Sequence, residues 1–100
     1  MAKLSDEQIT ISLSKIPGWY LKNGAIERLV SFASFREALE FVNRVGEYSE
    51  AANHHPDIDI RYNNVRLALT THDVRGLTGK DFALAQRINQ IVSAKVELVD

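Results

Sequence analysis

Apolar and polar residues alternate most regularly over residues 57–72, DIDIRYNNVRLALTTH, with the period of a half-buried strand. Asn63-Asn64 interrupts this alternation and suits a turn, because asparagine tolerates the left-handed backbone region. We predict a hairpin with this two-residue loop, which pairs Tyr62 with Val65, Ile60 with Leu67 and Ile58 with Leu69. All these apolar side chains then share one face of the sheet.

A second hairpin is predicted around Asn23-Gly24, because both residues tolerate the positive φ that a type I′ turn requires. After the turn, apolar and polar positions divide between two faces. One face carries Ile26, Arg28, Val30 and Phe32, and the other carries Glu27, Leu29 and Ser31. The alternation is imperfect but still favours a strand.

Three further segments have helical periodicity. Ser5 and Gln8 have the spacing of a capping box, and Pro17-Gly18 ends the run, which predicts a helix over 5–15. A third helix is predicted from Thr78 and Asp81 to about residue 94. The tail VELVD that follows is predicted to be a short strand or a frayed end.

The middle helix is predicted over 35–52, with Ser34 and Glu37 as its capping box. Its apolar stripe consists of Phe35, Ala38, Leu39, Val42, Val45, Ser49 and Ala52. Phe41 and Tyr48 lie off that stripe, and we interpret them as weak evidence for self-association.

The order of these elements is αββαββα. Two hairpins interleaved with helices predict an α+β fold, with one antiparallel sheet and helices packed on one face. The length of 100 residues predicts a single domain over 1–100, whose small core would gain from oligomerisation.

Composition excludes several classes of function. A net charge of −1 leaves no electrostatic footprint for nucleic acid, and the absence of cysteine excludes thiolate chemistry and disulfides. No signal peptide or membrane-length apolar run is found, so the prediction is a cytoplasmic protein with no membrane contact. The sequence contains neither a G-x-S-x-G motif nor a glycine-rich phosphate loop.

The candidate chemistry lies in the three histidines, His54, His55 and His72. The predicted hairpin register, continued outward, places His55 opposite His72 with His54 one step further, although Pro56 breaks ideal pairing there. Histidine exchanges protons near neutral pH, so such a cluster suits general acid–base catalysis. Glu50 and Asp81 are predicted to approach the same end of the sheet.

Less specific interpretations remain open. His-His-Pro can be a solvated connector, Asp81 a helix cap, Glu50 an exposed helix charge and Trp19 a core residue. A three-histidine metal site is a further alternative. Neighbouring residues of an extended segment point to opposite faces, so His54 and His55 reach one ion only where the backbone bends.

The run EAANHHP, followed by Tyr62, TTH and Asp81, resembles the signature of the pterin-4a-carbinolamine dehydratases, read here as E-x3-H-H-P-x5-Y-x9-H-x8-D. The resemblance extends to Gly18-Trp19, Arg44-Val45 and Gly76-Leu77, and covers about residues 15–95. It implies a four-stranded antiparallel sheet with three helices on one face, assembled into homodimers or homotetramers.

The resemblance also implies a function. Members dehydrate 4a-hydroxytetrahydropterin to quinonoid dihydropterin without metal or organic cofactor, in recycling the cofactor of aromatic amino-acid hydroxylases. The catalytic histidines would be His54, His55 and His72, with His54 and His72 as the acid–base pair. Substrate contacts are expected from Glu50, Asn53, Pro56, Thr71, Asp81 and Trp19, the last covering the flat ring.

Two other roles follow from the same resemblance. Animal members also act as dimerisation partners of a homeodomain transcription factor, and similar domains are suspected in molybdopterin metabolism. The residue before the histidine pair is often aspartate in animal members and is Asn53 here, which leaves no role for a charge at that position.

Overall fold

A computed structural model of the chain describes the backbone of residues 2–99 and the side chains of residues 2–93. The elements are α1 (Asp6–Leu13), β1 (Tyr20–Lys22), β2 (Ala25–Ser31), α2 (Phe35–Ala52), β3 (Asp57–Arg61), β4 (Asn64–Leu69), a 3₁₀ helix (His72–Val74) and α3 (Gly79–Val99). The four strands form one antiparallel sheet in the order β1-β2-β4-β3, which confirms the predicted α+β class and the order αββαββα.

The two faces of the sheet differ in burial. Ile26 and Val30 of β2 and Val65, Leu67 and Leu69 of β4 are buried against the helices. On the opposite face, Leu29, Ser31 and Arg66 are exposed. Strand residues alternate between faces, so this contrast locates the core on one side of the sheet, with the helices.

The Asn23-Gly24 turn has the predicted form. Both residues have positive φ, 52° and 79°, and Lys22 pairs directly with Ala25 across the two-residue loop.

Ser5 caps α1 through a complete capping box with Gln8, and the Ser34 side chain accepts the N–H of Glu37 at the start of α2.

The register of the second hairpin differs from the prediction by two residues. Its loop is Tyr62-Asn63, so Arg61 pairs with Asn64 and Ile60 with Val65. Tyr62 takes the left-handed conformation and is exposed. A shift of two leaves every side chain on its face, so the alternation alone cannot select between these registers. The predicted opposition of His55 and His72 is therefore wrong.

The loop position is fixed by contacts with β2. Asn63 donates from its side chain to the carbonyl of Phe32 (2.6 Å), and its own carbonyl accepts the N–H of Phe32 (2.9 Å). Asn64 belongs to β4, pairs with Ser31 and contacts its hydroxyl (2.5 Å). These long-range contacts are not visible in the local pattern.

The buried face of α2 is rotated from the predicted stripe. Phe41 lies in the core with its ring centroid 4.9 Å from that of Phe32, and Tyr48 packs against the same core. Phe35 and Leu39 are instead exposed. The interpretation of Phe41 and Tyr48 as a second, external strip is therefore wrong.

The last helix is longer than predicted, since α3 runs to Val99 rather than to about residue 94. Residues 96–99, predicted as a strand or a frayed end, belong to this helix, and Asp100 lies outside the described residues. Within residues 2–99, no helix is both long and apolar enough to cross a membrane.

A matched pair of leucines tests the assignment of the two sheet faces. Leu67 is fully buried on β4, whereas Leu29 on β2 is 58% exposed on the opposite face. Leu67→Ala should lower the free energy of unfolding by about 2–5 kcal/mol through lost burial and cavity formation. Leu29→Ala should change it by less than about 0.5 kcal/mol. Urea unfolding followed by circular dichroism measures both, and similar losses in the two variants would contradict the assignment.

Candidate active site

A polar cavity of about 380 Å³ lies where α2 ends and the 3₁₀ helix and α3 begin. All three histidines line it, together with Asn53, Thr70, Thr71, Asp73, Val74 and Lys80. The cavity therefore brings together side chains from three separate parts of the chain. We refer to it as the histidine pocket.

Asn53 turns the chain so that both neighbouring histidines reach this pocket. It caps α2 in the left-handed conformation (φ 51°, ψ 44°), and its N–H donates to the carbonyls of Glu50 and Ser49. The N–H of His54 also donates to the Ser49 carbonyl, at 3.1 Å. This helix-ending geometry supplies the bend that an extended His-His pair lacks.

His54 is held by a buried carboxylate. Its Nε2 lies 2.6 Å from Oδ1 of Asp81, with the His54 side chain 11% exposed and that of Asp81 fully buried. A carboxylate only accepts hydrogen bonds, so the proton between them belongs to Nε2. This assignment leaves Nδ1 of a neutral His54 with a free lone pair.

The second oxygen of Asp81 is also satisfied. Its Oδ2 accepts the hydroxyl of Thr71 at 2.7 Å and the backbone N–H of Thr78 at 2.9 Å. The Thr78 hydroxyl lies 2.9 Å from that of Thr71, and it donates there because the Thr71 proton is used on Asp81. Three donors around a fully buried carboxylate satisfy its oxygens and fix its orientation.

Asp81 therefore has two functions. It lies in the first turn of α3, where its contact with the Thr78 N–H closes the end of that helix. The same carboxylate orients His54. The T-x-x-D spacing of Thr78 and Asp81 predicts the helix start, but nothing local predicts the contact with His54.

His55 has a different environment. Its Nε2 forms a short contact with Oε2 of Glu50, but the His55 side chain is 54% exposed and that of Glu50 is 79% exposed. An exposed ion pair contributes little to stability because water screens it and both side chains lose freedom. His55 is therefore an exposed side chain at the pocket rim, unlike the nearly buried His54.

His72 reaches the pocket because the chain leaves the sheet after β4. Thr71 N–H donates to the Gly76 carbonyl at 2.9 Å, and the intervening residues form the 3₁₀ helix, which ends at Arg75 in the left-handed conformation. His72 is exposed and makes no side-chain hydrogen bond to another residue within 2–93. Its imidazole is open to a ligand and to water.

Four of the six residues predicted to contact substrate do not line the histidine pocket. Glu50 and Asp81 contact it only through His55 and His54, and the other two lie outside it. Trp19 is buried, and its indole N–H donates to Oδ1 of Asn89 at 2.8 Å. It does not line the histidine pocket, and neither does the half-buried Pro56. Lys80 and Asp73 do line it. The sequence offered no signal for Lys80, since an isolated charge at a helix start is ordinary, whereas Asp73 belongs to the glycine-bearing loop DVRGLTG that was expected to form a pocket wall.

The described side chains contain no group of three histidine, aspartate or glutamate residues arranged to hold a metal ion. His54 uses Nε2 on Asp81 and His55 uses Nε2 on Glu50.

Comparison with known proteins gives consistent matches. The family model for pterin 4 alpha carbinolamine dehydratase matches residues 2–91. A protein of Chloroflexus aurantiacus is 54% identical over 92 residues, covering 92% of this chain and 99% of its own. One of Thermomicrobium roseum is 50% identical over 93 residues, covering 93% and 100%. Both carry names that assign them pterin-4-alpha-carbinolamine dehydratase activity provisionally.

Two solved structures share the fold. One, from Brucella melitensis, is described as a transcriptional coactivator/pterin dehydratase, with a TM-score of 0.87, 30% identity and coverage of 90% of this chain and 98% of that one. The other is a pterin dehydratase-like protein described as a RuBisCO assembly factor, with a TM-score of 0.61, 20% identity and coverage of 72% and 83%. At that identity, the second indicates similarity of fold alone.

The left-handed conformation of Asn53 leads to a prediction. Asn53→Val should lower the free energy of unfolding by about 1–2 kcal/mol, because a β-branched residue is strained at a φ of 51°. Asn53→Gly should stay within about 0.5 kcal/mol, because glycine adopts this conformation freely. Urea unfolding compares the two variants, and equal losses would show that the conformation of this residue is not the cause.

Proposed function

Because the chain belongs to the pterin 4 alpha carbinolamine dehydratase family, we propose that it removes water from 4a-hydroxytetrahydrobiopterin to give quinonoid dihydropterin. The observation that carries this proposal is the fixed His54–Asp81 pair in a pocket that also holds the exposed His72. Elimination of water requires one group that takes a proton and another that gives one. Two imidazoles in different environments suit these roles.

His54 is proposed as the base. The hydrogen bond from its Nε2 to Asp81 leaves Nδ1 able to accept the proton from N5 of the pterin. The electron pair of the N5–H bond then forms the double bond between N5 and C4a. The nearby carboxylate stabilises the imidazolium that results, since it is charged, buried and already oriented.

His72 is proposed as the acid. As the C4a–O bond breaks, the leaving hydroxyl takes a proton from the His72 imidazolium and departs as water. The exposed position of His72 lets solvent restore its proton after each turnover. Over the two steps His54 accepts one proton, His72 donates one proton, and the pterin loses one water molecule. The reaction requires no oxidant, and we propose that it proceeds without metal or organic cofactor.

The remaining pocket residues are proposed to bind the pterin. His55, at the rim with Glu50, would orient the ring, and the side-chain amide of Asn53 would meet its polar edge. Thr71, whose hydroxyl donates to Asp81, would act through that carboxylate. Pro56 lies between His55 and β3 and does not line the pocket, so it would act only through the position of His55. We do not include Trp19 in this set, because its indole is buried and bonded to Asn89.

We propose that this activity serves recycling of tetrahydrobiopterin in the cytoplasm by a homodimer or homotetramer. Support for assembly comes from Phe35 and Leu39, which are exposed one turn apart on α2. A small domain gains buried apolar area when such residues meet a second copy. Direct nucleic-acid binding is not part of the proposal, because the net charge is −1.

A second candidate function is a non-catalytic interaction module. The Brucella melitensis structure, 30% identical, is described as both a coactivator and a dehydratase, and the exposed apolar residues of α2 suit a protein partner. A role with a molybdopterin-related pterin is a variant of the first function. The rate of carbinolamine loss with and without the protein, followed by ultraviolet absorbance, separates an enzyme from a module.

The acid–base assignment predicts a specific pattern of activity loss. His54→Ala and His72→Ala should each lower kcat by at least about tenfold, since a positioned acid or base contributes at least that factor. His55→Ala should mainly raise KM, because that side chain is proposed to bind. Turnover is measured by absorbance and folding by circular dichroism. Full activity in both the His54 and the His72 variant would end the assignment.

The two carboxylates provide a matched test of positioning. Asp81→Asn should lower kcat by at least about tenfold, because the amide no longer fixes the tautomer of His54. Glu50→Gln should have a smaller effect on kcat, because its pair with His55 is exposed. Thr71→Val serves as a second variant, since it removes one hydrogen bond to Asp81 and keeps the charge. Unchanged kcat in folded Asp81→Asn and Thr71→Val proteins would refute the positioning role.

A further inference from the structure

Arg28 is a cation on the helix-covered face of the sheet. It lies on β2 between Ile26 and Val30, both of which are buried in the core. Its guanidinium donates from Nη1 to the carbonyl of Pro17 at 3.1 Å and also to the side chain of Asn89. Its Nε is buried and has no hydrogen-bond partner. The group is therefore only partly satisfied.

The charge of Arg28 is also uncompensated. No carboxylate lies within salt-bridge distance of it among the side chains of residues 2–93, whereas Arg61 and Arg66 on the other face both contact Asp59. Burial lowers the pKa of Arg28, as expected where a charge loses water and gains no counter-ion. Arg28 is half-buried, and a charge that loses part of its water without gaining an opposite charge is costly, so proteins usually pair such groups.

A cavity of about 720 Å³ opens beside this guanidinium. Lys15 and Arg28 supply two positive charges to its wall, and no acidic side chain within residues 2–93 lines it. The rest of the wall includes amide side chains from α3, among them Gln86, Asn89 and Gln90. Its volume falls within the range of about 300–1,000 Å³ that is usual for small-molecule sites.

The backbone near the cavity leaves room for the arginine. Gly18 has a φ of 91°, and a Cβ at that position would lie 2.8 Å from Cζ of Arg28. Only glycine fits this combination of conformation and close approach. The loop before β1 thus holds the guanidinium at the cavity wall.

We propose that this cavity binds a small molecule carrying a carboxylate or phosphate group, with Arg28 and Lys15 as the residues that recognise the anion. The fork of donors on a guanidinium matches the oxygens of either group, and an anion there would supply the missing counter-charge. The cavity shares no lining residue with the histidine pocket, so the site is separate from the proposed reaction. The inference does not depend on the proposed function.

A purely structural role for Arg28 is the competing interpretation, since its two hydrogen bonds join the loop before β1 to α3. That role involves only Arg28, Pro17 and Asn89. It does not require Lys15, whose side chain is exposed and makes no hydrogen bond or ion pair within residues 2–93. A change in anion binding when Lys15 is substituted is therefore specific to the anion site.

Trp19 supplies the measurement. It is the only tryptophan in the chain, and its indole N–H donates to the same Asn89 oxygen that Arg28 contacts. We expect its fluorescence to change saturably on titration with inorganic phosphate or with acetate, each at constant ionic strength set by sodium chloride. A response to phosphate alone assigns a phosphate ligand, and one to acetate alone assigns a carboxylate ligand.

The variants separate the two interpretations. Arg28→Gln should weaken binding by about tenfold or more, the usual effect of losing a hydrogen bond to a charged group. Lys15→Gln should weaken it several-fold while the fold stays intact. Arg61→Gln, which removes an exposed charge on the other face of the sheet, should leave it unchanged. Absence of a saturable change with both anions, or equal binding by wild type and Lys15→Gln, would overturn the proposal.

Discussion

The hydrogen bond between His54 and Asp81 is the interaction on which the site depends. Asp81 is fully buried, so its charge is tolerated only because three donors surround it. Those donors come from the end of α2, from the end of β4 and from the start of α3. The carboxylate therefore fixes the relative positions of three elements as well as the orientation of one imidazole. Loss of any one donor would leave a buried charge less well satisfied.

The two histidine–carboxylate pairs differ in how far they are exposed to water. His54 is nearly buried and has one orientation relative to its partner, whereas His55 and Glu50 are mostly exposed. A catalytic base must stay within hydrogen-bond reach of one substrate atom, which favours the fixed side chain. An exposed side chain at the pocket rim, such as His55, can contact the pterin ring as it enters and leaves. The two neighbouring histidines thus suit different tasks because Asn53 directs them into different environments.

Much of the fold could be predicted from the sequence, but not the parts that depend on long-range contacts. The Asn23-Gly24 turn and the bounds of α2 follow from local chemistry, and the alternation of β3 and β4 gives the correct faces. The register of that hairpin does not follow, because a two-residue shift preserves every face. Asn63 selects the register through Phe32, which is distant in sequence. The convergence of three histidines was predicted from a wrong register, and it occurs because the chain leaves β4 in a 3₁₀ helix.

Two charges of opposite sign lie on the covered side of this small domain, and their surroundings differ. Asp81 receives three hydrogen bonds, and all three donors are groups of the same chain. Arg28 keeps a buried Nε without a partner and faces a cavity that contains a second cation. The free energy of a buried charge has to be offset by some opposite charge or set of dipoles. For Asp81 the protein supplies that compensation itself. For Arg28 no carboxylate within residues 2–93 supplies it, and we assign that role to an anion from solution.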